Sequence, residues 1–194
     1  MVEVYRRGVL RTLPLLTLAV SALRSRGVVA ETRPAPASKT LVAYFSRTGN
    51  TRVIAGQIQR AHAADLVEIE TATPYPEEYE ETVRQAQRET GAGFKPPLHT
   101  GVNGLNTYET VFLGFPIWGM TAPPAIRSFL SRYDMTGKTL IPFITHGGYG
   151  LGSSITVVRE HAPRARLVQG FSLEADQERR TLEKVTDWLG GLPL

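Results

Sequence analysis

The chain of 194 residues has no cysteine. Disulfides, iron–sulfur clusters, thiolate zinc sites and cysteine nucleophiles are therefore excluded together. Two phosphate-binding patterns are also missing: Gly-x-x-x-x-Gly-Lys-Ser/Thr, which serves triphosphates, and Gly-x-Gly-x-x-Gly, which serves dinucleotides. There are no internal repeats and no low-complexity tracts. The formal charge of +4 is not spread over the chain. Residues 1–30 hold Arg6, Arg7, Arg11, Arg24 and Arg26 against Glu3 alone, and the remainder is near neutral. A near-neutral domain is poorly suited to a nucleic-acid backbone, so no nucleic-acid partner is expected.

What the chain does have begins with a basic, then apolar, N-terminus. Residues 12–23 are moderately apolar but too short to span a bilayer comfortably. Val28-Val29-Ala30 offers small residues for a signal peptidase, with cleavage expected before Glu31. Tyr5-Arg6-Arg7-Gly8-Val9-Leu10-Arg11 resembles the paired-arginine signal of the twin-arginine export route, although Tyr5 stands where a small hydroxylated residue is more usual. Residues 1–30 are therefore expected to be an export signal and residues 31–39, with Pro34 and Pro36, a linker. The folded domain is expected over residues 40–194. This places the protein in the periplasm or another extracytoplasmic space, with membrane contact only through the signal. An uncleaved membrane anchor, or a misassigned start and a cytoplasmic protein, are the alternatives.

From Thr40 onward, apolar strands alternate with helical patterns, the signature of a parallel-sheet α/β domain. Strands are expected at residues 40–45, 66–70, 110–114, 139–145 and 166–173. The second of these, alternating with Glu68 and Glu70, reads as an edge. Helices are expected at 51–63, with Ile54, Ile58 and Ala61 inward, and from about 77, with Tyr79, Val83 and Ala86 inward. A third opens at Pro123-Pro124 and buries Ile126, Phe129, Leu130 and Tyr133. A fourth covers 153–162, and a fifth covers 176–189 with Leu182, Val185 and Leu189 inward. The fold class is thus a doubly wound five-stranded parallel sheet with helices on both faces. In such a sheet, ligands sit at the carboxyl ends of the strands.

Three loops at those ends stand out. Ser46-Arg47-Thr48-Gly49-Asn50-Thr51 offers three hydroxyls, a glycine for close approach, and the positive end of the following helix. A single phosphate held mainly by neutral donors fits it better than a triphosphate, although an ordinary helix cap by Asn50 or Thr51 is the plainer reading. Arg47 either adds charge or projects into solvent. Pro116-Ile117-Trp118-Gly119 puts a tryptophan where it can stack on a flat ring or simply pack in the core. Thr145-His146-Gly147-Gly148-Tyr149-Gly150 supplies backbone groups for a polar ring edge and an aromatic to cover its other face. His146 serves either the ring or its own loop. The expectation is a monophosphate bearing a flat ring, and flavin mononucleotide (FMN) is the working assignment.

Tyr44-Phe45-Ser46-Arg47-Thr48-Gly49-Asn50-Thr51, Gly114-Phe115-Pro116-Ile117-Trp118 and Pro142-Phe143-Ile144-Thr145-His146-Gly147-Gly148 resemble the flavodoxin-like superfamily. The closest likeness is to flavodoxins whose fourth strand ends in Thr-His-x-Gly. This resemblance implies strand order 2-1-3-4-5 and non-covalent FMN, as in the flavodoxin example given for doubly wound sheets. It further implies phosphate binding by residues 46–51 and ring binding by residues 116–119 and 145–150. The near-neutral domain departs from the strongly acidic electron-shuttle flavodoxins.

An electron-transfer protein with a redox partner or a small-molecule acceptor is the expected function, with no metal and no catalytic residue assigned. An FMN-dependent NAD(P)H or quinone reductase is the alternative. A hydrolase is disfavoured: His146-Gly147-Gly148 resembles an esterase oxyanion loop, but no Gly-x-Ser-x-Gly supplies the nucleophile. A module whose sites have lapsed completes the set.

Overall fold

The computed structural model describes residues 38–99, 101–174 and 178–192, with the side chains of 178–182 left out. The export segment 1–30, residues 31–37 of the tether and the inward role of Leu182 lie outside the described residues. The strands are β1 (Thr40–Tyr44), β2 (Asp65–Glu68), β3 (Thr110–Pro116), β4 (Thr139–His146), β5 (Arg166–Leu167) and β6 (Phe171–Glu174). The α-helices are α1 (Asn50–His62), α2 (Tyr79–Gly91), α3 (Pro124–Arg132), α4 (Ser154–His161) and α5 (Glu178–Gly190). A 3-10 turn, Leu105–Thr107, precedes β3.

Every strand pair is parallel, and the order is β2-β1-β3-β4-β5, with β6 also paired to β4. This is the doubly wound sheet expected from the alternation of elements. The fifth strand is not continuous, as residues 166–173 were expected to be. β5 pairs with Thr139 and Leu140, then β6 pairs with residues 143–146. The cause is Pro142 in the middle of β4. Gly170 passes so close that a Cβ there would lie 2.2 Å from the Pro142 carbonyl oxygen. The nitrogen and carbonyl of one strand residue point to the same side, and proline brings no N–H to that side. The ladder breaks where its donor is missing.

The period of two along the strands divides the core into two layers. Leu41, Ala43, Leu113 and Phe115 face α3 and α4 residues such as Ile126, Phe129 and Val158. Val42, Tyr44, Phe112 and Phe143 face Ile54 and Ile58 of α1 and Val185 of α5. A sheet covered on both faces explains the near-continuous apolar run of β1. The Phe143 ring lies over Gly114, where a Cβ would come within 2.1 Å of it. Two helical stripes depart from the expected ones. α1 buries Thr51, Ile54, Ala55 and Ile58 and leaves Ala61 exposed. α2 buries Thr82 and Ala86, while Tyr79 is 60% exposed. α1 faces the sheet through Ala55 between Ile54 and Ile58, and α2 packs on α3 while Tyr79 lies at the cleft.

His62 ends α1 with its ring 5.2 Å from that of Phe112 and its Nε2 buried without a hydrogen-bond partner. Burial holds its pKa below the ordinary 6.5. The unfolded chain therefore takes up this proton first as pH falls, and stability drops from about pH 6.5 downward. Thermal melts of the His62→Leu variant between pH 7 and 5.5 should show a weaker loss of Tm on acidification than the parent. An identical pH dependence would contradict this.

Candidate functional site: a cleft at the carboxyl edge of the sheet

Parallel pairing brings the carboxyl ends of β1, β3 and β4 side by side, so the loops that follow them meet on one edge. The first loop closes on itself, because the Gly49 N–H donates to Ser46 Oγ at 3.1 Å. Gly49 sits at φ +93°, has open space where a Cβ would stand, and its carbonyl accepts from the Val53 N–H. As in any helix, the first-turn N–H groups of α1, from Asn50 onward, have no intrahelical acceptor. Thr48, just before them in the chain, is exposed.

Thr51 is placed differently from a free anion donor. It is 1% exposed, and its hydroxyl lies 3.0 Å from the hydroxyl of Thr145, itself buried at the end of β4. One of these two protons is used between them. The pair ties the first loop to the third. Arg47 neither points at the turn nor stands free: its guanidinium lies 5.4 Å from the ring centre of Tyr79 and donates to the Glu77 carbonyl at 3.2 Å. Arg52, on the outer side of α1, pairs with Glu68 at 2.7 Å, and Tyr44 donates to the same carboxylate. Burial and then that carboxylate raise the Tyr44 pKa.

The second loop leaves β3 with the Ile117 N–H bonded to the Thr145 carbonyl at 2.8 Å. Trp118 and Thr121 then exchange two backbone hydrogen bonds, of 3.0 and 3.1 Å, across Gly119 and Met120. Positive φ at both central residues, +56° and +63°, makes this a type I′ turn. The half-buried indole of Trp118 is held edge-on by Phe45 at 5.1 Å and Tyr75 at 4.8 Å. Tyr75 in turn donates to Glu89 at 2.7 Å, and burial together with that carboxylate drives its pKa far upward. The indole is thus both core packing and a wall.

In the third loop, the Gly148 N–H donates to His146 Nδ1 at 3.2 Å, so the imidazole satisfies its own loop through that nitrogen. Gly148 and Gly150 both have positive φ, and Tyr149 between them is 81% exposed. Glu174 of β6 lies against Gly148, close to where a Cβ would stand.

All three loops border one cleft of about 520 Å³. Arg47, Ile117, Trp118, Gly119 and Gly147 line it directly, and Ser46 lies just beyond Arg47. Thr48, Gly49, Asn50, Thr51, Pro116, Thr145, His146, Gly148, Tyr149 and Gly150 belong to the same loops but do not line it. A second cavity of about 620 Å³ lies across Trp118, against Glu68, Glu70 and Tyr75, and meets only the first loop and the indole. The first cleft is the candidate because three strands contribute to it. Its outer wall is α2, through Tyr79, Thr82, Val83 and Ala86, and sequence reasoning did not assign that wall. The small pair Thr82 and Ala86, four residues apart, was the available signal. Thr121, at the far side of the turn, was also missed.

The Thr51–Thr145 bond generates a stability prediction. Thr145→Val leaves the Thr51 hydroxyl buried and unpaired and should cost about 1–3 kcal/mol in denaturant unfolding. The double variant Thr51→Val/Thr145→Val should lose less than the sum of the two single changes. Strict additivity would show that the two hydroxyls do not act together.

The family profile described as flavodoxin matches residues 39–191. A protein from Bacteroides eggerthii, assigned as a flavoprotein, shares 31% identity at a TM-score of 0.70, covering 81% of this chain and 99% of its own. One from Bacteroides uniformis, similarly assigned, shares 30% at 0.70, covering 80% and 99%. A Lactobacillus acidophilus flavoprotein solved in complex with FMN shares 18% identity and the fold, at a TM-score of 0.62 with 77% and 99% covered. No curated protein matches. The profile spans the whole described sheet and all three loops of the cleft, and the chain belongs to the flavodoxin family.

Proposed function

We propose that the protein binds FMN in this cleft and acts in electron transfer outside the cytoplasm. The observation that carries the reading is the meeting of three loops, from β1, β3 and β4, on one cleft. The residues present fit the group. The free first-turn N–H groups of α1, the Ser46 hydroxyl proton and the αL turn at Gly49 suit a single phosphate. The cleft is within the ~300–1,000 Å³ typical of small-molecule sites. Its walls are mostly apolar, and Trp118 presents a rigid aromatic surface.

Bound FMN supplies the electron exchange, and the chain supplies binding, orientation and electrostatics. Residues 46–51 would hold the phosphate, while residues 116–119 and 145–150 would hold the ring. Among the residues lining the cleft, Arg47 is the one charged group, and it is engaged by Tyr79 and the Glu77 carbonyl. No acid–base pair lines the cleft to move protons to and from a substrate. This favours electron transfer to a partner protein or a small acceptor over a proton-coupled reductase.

Absorbance of the purified protein tests the cofactor. A yellow protein, or an apoprotein that takes up added FMN, is expected, and a colourless chain that binds none would sink the reading. Trp118→Ala should weaken FMN binding two- to tenfold, from about 0.5–1.5 kcal/mol of aromatic contact, and brighten residual flavin emission. Unchanged affinity and emission would remove Trp118 from the ring site.

The location outside the cytoplasm rests on Arg6-Arg7 and the apolar stretch behind it. The twin-arginine route carries folded proteins and so permits loading of FMN before export. Replacing Arg6 and Arg7 with lysine should leave the protein unprocessed in the cytoplasmic fraction. Continued appearance in the periplasm would rule that route out.

A further inference from the structure

Two non-glycine residues among those described have a positive φ, Ala63 at 46° and Met120 at 63°. Ala63 ends α1 in the left-handed conformation usual for helix ends, with its successor's N–H bonded back to Gln59. Met120 has no such reason. A side chain in that region is disfavoured and persists only where its surroundings over-determine it.

The surroundings come from the far end of the third loop. The Ser153 N–H donates to the Met120 carbonyl at 2.9 Å, and the Ser153 hydroxyl donates to Thr121 Oγ1 at 2.9 Å. Arg127 of α3 donates to the same Thr121 oxygen at 3.0 Å. Gly152 makes the approach possible. A Cβ there would stand 2.0 Å from the Met120 carbonyl oxygen and 2.6 Å from its carbon, and the residue's φ is +51°. The clamp is rigidly mounted, because Ser153 precedes α4, whose first residue, Ser154, is fully buried.

We propose that Gly152 and Ser153 are positioning residues that lock the Gly119–Met120 turn in its type I′ form and thereby set the affinity for FMN. The inference rests on the functional reading above. Neither residue lines the cleft. They act through the turn, whose two ends, Trp118 and Thr121, both line it. Without the clamp, Met120 relaxes toward negative φ and the Trp118–Thr121 pairing opens. That displaces one wall of the cleft, so the loss is of preorganisation rather than of a direct contact.

The test titrates FMN into the full-length apoprotein well below its melting temperature, reading flavin fluorescence and the visible spectrum of the bound flavin. Gly152→Ala should bind about tenfold more weakly with an altered bound spectrum. Ser153→Ala should bind a few-fold more weakly, and Ser153→Thr, which keeps the hydroxyl, should return to the parent value. A purely structural role would lower Tm yet leave the folded protein's Kd and bound spectrum unchanged in both alanine variants, and that result would overturn the proposal. If Gly152→Ala does not fold, the Ser153→Ala and Ser153→Thr comparison decides by the same criterion. A parent chain that binds no FMN would instead overturn the functional reading, and the clamp's assigned role with it.

Discussion

Parallel pairing of β1, β3 and β4 is the constraint on which everything else depends. Parallel strands need helical crossovers, so both faces of the sheet are covered and its core splits into two layers. The same geometry forces every strand-to-helix loop onto one edge. Loops that are about 70 and 100 residues apart in the chain thereby become neighbours, close enough for Thr51 and Thr145 to share a buried hydrogen bond. That bond has no meaning in an open chain. It exists because the sheet order brings the first turn of α1, which holds Thr51, against the end of β4, which holds Thr145.

The cleft is built mostly from neutral groups. Two nearby carboxylates are engaged elsewhere: Glu68 by Arg52 and Tyr44, Glu89 by Tyr75 and Gln85. Arg47 is turned toward α2 instead of the helix end. An anion at the first loop would thus be met by oriented backbone dipoles and hydroxyls, which hold it without a counter-charge of fixed strength. The aromatic trio Phe45, Tyr75 and Trp118 meets edge to face, so the indole is braced from two sides before any ligand arrives.

The parallel α/β sheet, the edge position of β2 and the three loops were legible in the sequence because they follow from period and punctuation, while the strand order came from the flavodoxin resemblance. Apolar runs ended by Ser46, Pro116 and His146 are visible without coordinates. What was not legible depends on partners distant in sequence. The inward turn of Ala55 in place of Ala61 depends on how α1 lies on the sheet, and the exposure of Tyr79 on the cleft beside α2. The pairing of Thr51 with Thr145 depends on how α1 packs over the end of β4. Met120 gives no sign of its left-handed conformation, because the residues that hold it there, Gly152 and Ser153, lie some thirty positions later. His146 is a different case: its Nδ1 accepts from Gly148, two residues on, in a loop geometry that residue types alone do not specify.

The split of the last strand reaches beyond the ladder it interrupts. The end of a sheet offers unpaired backbone groups to any passing chain, and long, regular edges invite aggregation. Here the outer strand is two short pieces of two and four residues, separated at the point where Gly170 crosses Pro142. Neither piece is long enough to template a steady pairing. The opposite edge, β2, is only four residues long and carries Glu68 in an ion pair with Arg52. The proline that costs the sheet part of its hydrogen bonding thus also shortens the edge that a second chain would have to pair with.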